Sequence, residues 1–117
     1  MSDGDFQNPN SEGFIPVDVI NSYLYNPFIT VGVSLINHER GDQLIKHGRT
    51  IKQDYELNAD YQLVEGAIKL LKGGYHPAPE GWDINVWVKM LDKSEQEKLI
   101  IGGAIVAAEI DRLNYKE

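Results

Sequence analysis

The chain has no cysteine, so disulfides, thiolate nucleophiles and zinc–thiolate sites are all excluded. It also lacks a long apolar run. The longest, Leu99 to Ala108, stops at ten residues, against the roughly 20 that a membrane-spanning helix requires. The first residues, M-S-D-G-D-F-Q, lack the basic-then-apolar order of a secretory signal. Basic residues are few: 11 Lys and Arg stand against 18 Asp and Glu, a formal net charge of -7. That balance argues against a binder of nucleic-acid backbones, which needs a basic surface to release counterions. Strand-like alternation and internal repeats are missing. Ser22, Ser34 and Ser94 sit in no nucleophile-elbow context. What remains is a soluble, cytoplasmic chain of 117 residues, one domain by length.

What is present reads as helix. Residues 1–13 are polar and rich in Gly and Asn, and are expected to form a disordered or loosely docked arm. Residues 14–117 are expected to form a single helical domain. Phe14 to Phe28 is rich in aromatic and aliphatic side chains and broken by Pro16 and Pro27; it packs either on its own domain or on a second subunit. Thr30 is a candidate N-cap for a helix running to His47, with Gly48 as its stop. A second helix is predicted from Asn58 or Ala59 to Leu71, on the i, i+3, i+4 face of Leu63, Val64, Ala67, Ile68 and Leu71. Gly73-Gly74 ends it, and Tyr75 to Gly81 is loop. Asp83 caps a short helix through Leu91. Ser94-Glu95-Gln96-Glu97 fits a capping box, and the helix it opens is apolar on every side from Leu99, so it is expected to be central. Gly103 and Ala107, four apart, offer a strip that another helix can approach closely. The fold class is all-α: a compact bundle of about three to four helices with an N-terminal arm.

Within this frame, Ile36 to Thr50, I-N-H-E-R-G-D-Q-L-I-K-H-G-R-T, is unusually polar. On a helix Glu39, Gln43 and His47 share one stripe beside Arg40. His38 and His47, nine apart, point to opposite sides and cannot share a metal. The stripe suits hydrogen bonding, and Arg40 offers a planar fork of donors for carboxylate or phosphate. Arg49 and Lys52 add positive charge at the same end. Such residues also pair routinely on half-exposed helices, to no purpose beyond a few tenths of a kcal/mol.

Glu109 continues a buried line on the last helix and needs a cation. Arg112 is its local candidate, with Arg40 or His47 the candidates across a helix pair. Trp82, with Trp87, Tyr75 and His76, forms either an aromatic wall for a ring or a set of core anchors.

Taken in order, these motifs resemble a family of small proteins encoded mainly by tailed phages and prophages. The residues that carry the resemblance are Ile36, Glu39-Arg40, Gln43, Gly48 with Thr50, Asp54, the helix from Leu63 to Leu71, Pro79 to Trp82 with Trp87, and Ala104 to Leu113. Where the family shows Glu-His-Asp-Asp, this chain has Lys52-Gln53-Asp54-Tyr55, so an acidic metal cluster is not preserved. The resemblance implies a helical fold and a phage accessory role, not a reaction.

Three functions compete. In the first, the chain binds an anionic small molecule, such as a nucleotide or nucleotide-derived signal, without turnover, through Glu39, Arg40, Gln43, His47, Arg49, Lys52, Trp82 and Glu109. No catalytic residue, metal ligand or cofactor is then implied, and the protein is expected to be a homo-oligomer. In the second, it is an all-α nucleoside-triphosphate pyrophosphohydrolase of the MazG type, which needs magnesium held by carboxylate pairs at three-residue spacing. Only Glu39 with Asp42 has that spacing in the middle of an expected helix. In the third, it is a ligand-free structural or interaction protein, and the polar stretch is a subunit interface.

Overall fold

The computed structural model describes residues 29–116. The expectations for the 1–13 arm and the Phe14 to Phe28 segment fall outside the described residues. The described residues form five α-helices and no strand: α1 (Val31–Ile45), α2 (Ile51–Leu57), α3 (Gln62–Lys72), α4 (Ile84–Leu91) and α5 (Glu95–Leu113). The all-α bundle expected from the sequence is what the chain builds. No helix among the described residues is long and apolar enough to cross a membrane. The chain divides into two units between Leu35 and Ile36, within α1, and the packing described below belongs to the second.

Helix α5 is the organising element. Ser94 accepts from the Glu97 amide at 3.2 Å, and the Glu97 carboxylate reaches back to the Ser94 amide at 3.3 Å, closing the capping box. Leu63, Ala67 and Leu70 of α3, at i, i+4 and i+7, lie against Ile101, Ile105 and Ala108 of α5 at the same spacing, and Trp87 of α4 completes the core. All seven are buried, and each large aliphatic among them contributes on the order of 1.5–3 kcal/mol. Two adjacent glycines admit the neighbours of α5 on either side. A Cβ on Gly102 would sit 3.1 Å from Leu71 of α3, and one on Gly103 would sit 2.7 Å from Ile36 of α1. The close approach expected at Gly103 is therefore filled by α1 of the same chain.

Two boundaries differ from expectation. Residues 51–57 form α2, a helix beyond those expected from the sequence; Thr50 caps it in a second capping box with Gln53. Asn58 closes α2, donating its backbone N–H to the Asp54 carbonyl. It therefore does not open the next helix, which starts instead after Tyr61 in left-handed backbone, φ 72. Helix α1 stops at Ile45 rather than His47, where the Arg49 amide folds back onto the Gln43 carbonyl at 3.0 Å.

Candidate functional site

The polar stretch does gather chemistry, in a layer between α1, α2 and α5. Arg40 is buried and donates from Nε and Nη2 to Oδ2 of Asp111, at 3.2 and 3.0 Å. One turn on, buried Gln43 donates to Glu39 at 3.4 Å. Glu109, also buried, takes the two-pronged grip of Arg112 at 2.7 and 3.0 Å. That settles its partner as the local one. The hydrogen bonds to Glu109 push the Arg112 guanidinium above its ordinary value against the opposing effect of burial, with the charges of Glu109, Tyr55 and Asp54 adding to the rise.

A second chain of contacts runs from α2 into the loop before α4. Asp54, almost wholly buried, accepts from Asn58 Nδ2 at 2.8 Å and lies 3.6 Å from Arg49. Asn58 Oδ1 in turn accepts from the Trp82 indole N–H at 2.8 Å. The Trp82 ring stacks where Gly66 leaves room, within 2.5 Å of the position a Cβ would take. Arg49 lies 5.7 Å from the ring centroid. Trp87 meets Trp82 edge-on with centroids 5.7 Å apart, and its own indole N–H goes to the His76 carbonyl. These tryptophans are anchors within the fold, while Tyr75 is exposed.

Of the residues singled out in the sequence, Glu39, Arg40, Gln43, Arg49 and Glu109 join the layer directly, and Trp82 through Asn58. His47 and Lys52 are exposed. Asp54, Asn58, Asp111 and Arg112 complete it. The first two could have been found from the Thr50 capping box, which places Asp54 and Asn58 four apart on one helix face. Among the described residues no group of three or more His, Asp or Glu is placed to hold a metal ion, and Asp42 is turned toward His38 and Lys46.

The layer is charge-balanced: Arg40 faces Asp111, Arg49 faces Asp54, and Arg112 faces Glu109. Three of its atoms, Arg40 Nη1, Gln43 Oε1 and Asp54 Oδ2, are buried with no hydrogen-bond partner among the described residues. Each such group costs on the order of 1–3 kcal/mol.

The opposite side of α5 is different in kind. From Lys98 to Leu113 its exposed residues are Leu99, Val106, Ile110 and Leu113, all aliphatic. A surface helix ordinarily shows charge there. No known family model, curated protein or solved structure matches the chain.

Proposed function

We propose that the chain is a ligand-free interaction protein that works through the outer face of α5. The observation that carries this reading is the run of four exposed aliphatics, Leu99, Val106, Ile110 and Leu113, along that helix. Contiguous apolar surface of this sort marks contact sites in folded proteins. The polar layer then has a structural task. Its Arg40–Asp111 pair ties α1 to α5 and its hydrogen bonds tie α2 to the Trp82 loop, with each arginine occupied by a carboxylate of the same chain. A phage accessory role, as the motif resemblance implies, is part of the proposal.

One observation favours a small anion as a second reading. Arg40 keeps Nη1 uncommitted, and the exposed His47 and Lys52 lie nearby in sequence. Thermal melting against nucleotides, cyclic nucleotides and magnesium separates the two. The interaction reading predicts no shift with any of them. A ligand present at 100 times its dissociation constant adds about 2.7 kcal/mol, a shift of several degrees in a domain of this size. Such a shift, lost in Lys52→Ala or His47→Ala, contradicts the interaction reading.

A further inference from the structure

We draw no further inference here: the strongest candidate, the stripe of Leu99, Val106, Ile110 and Leu113 exposed along the outer face of α5, carries none because nothing in the structure shows what covers it.

Discussion

Arg40 on α1 and Asp111 on α5, 71 positions apart in sequence, meet through two hydrogen bonds to a single carboxylate oxygen. Their surroundings are unequal: the Arg40 side chain is 8% exposed and that of Asp111 41%. Removing one partner therefore has a different consequence from removing the other. Asp111→Ala leaves a buried guanidinium with no acceptor, an expected loss of about 1–3 kcal/mol or somewhat more for a charged group. Arg40→Met leaves a carboxylate that water can reach and fills the volume with an apolar chain, at a cost of under about 1.5 kcal/mol. Urea midpoints at unchanged slope measure both. Equal losses would mean that the pair carries no burial asymmetry.

Two glycines give opposite signs for the same substitution. Gly41 lies inside α1 with nothing within 4 Å of where a Cβ would stand. Gly41→Ala is expected to stabilise the chain by roughly 0.5–1 kcal/mol through helix propensity. Gly66, inside α3, has the Trp82 ring at 2.5 and 2.8 Å from that position. Gly66→Ala must displace the ring and strain its bond to Asn58, so overpacking of about 1–3 kcal/mol outweighs the propensity gain. Thermal melting of the two variants beside the parent decides it.

The α5 cap predicts a pH effect of defined direction. The Ser94 hydroxyl, then the Ser94 backbone amide, hold the Glu97 carboxyl below its ordinary value, against a small opposing effect of burial and with help from Lys93. A depressed carboxyl stabilises the fold at pH values above its unfolded pKa, ordinarily about 4.3. That contribution disappears as acid takes the pH down through the folded value. A side-chain NMR titration should show the Glu97 midpoint below the ordinary range and moved upward in Ser94→Ala. An unmoved midpoint would mean that the cap is not its cause.

Much of this was legible where local chemistry decides structure. Ser94 with Glu97 announced α5, Asp83 announced α4, and the i, i+4 spacing of Glu39 and Gln43 announced their contact. Thr50 with Gln53 is an equally clear signal for α2, masked by the charges of Lys52 and Asp54 in its first turn. The pairings across helices were not legible in the same way. Glu109 had three candidate cations, and the nearest, Arg112, holds it. That left Arg40 to Asp111, a choice made by helix register and not by spacing. The approach of Trp82 to Gly66 depends on how a loop lies across α3, for which no periodicity gives warning. Asn58 looked like a helix start because it caps well. Its side chain is instead committed to Asp54 and Trp82 at the end of α2.

The central claim is that the outer face of α5 is the working surface and that the polar layer beside it is structural. Thermal melting of the full chain against nucleotides, cyclic nucleotides and magnesium tests it most directly. The account predicts no shift with any of them. A shift of several degrees, lost in Lys52→Ala or His47→Ala, would contradict it.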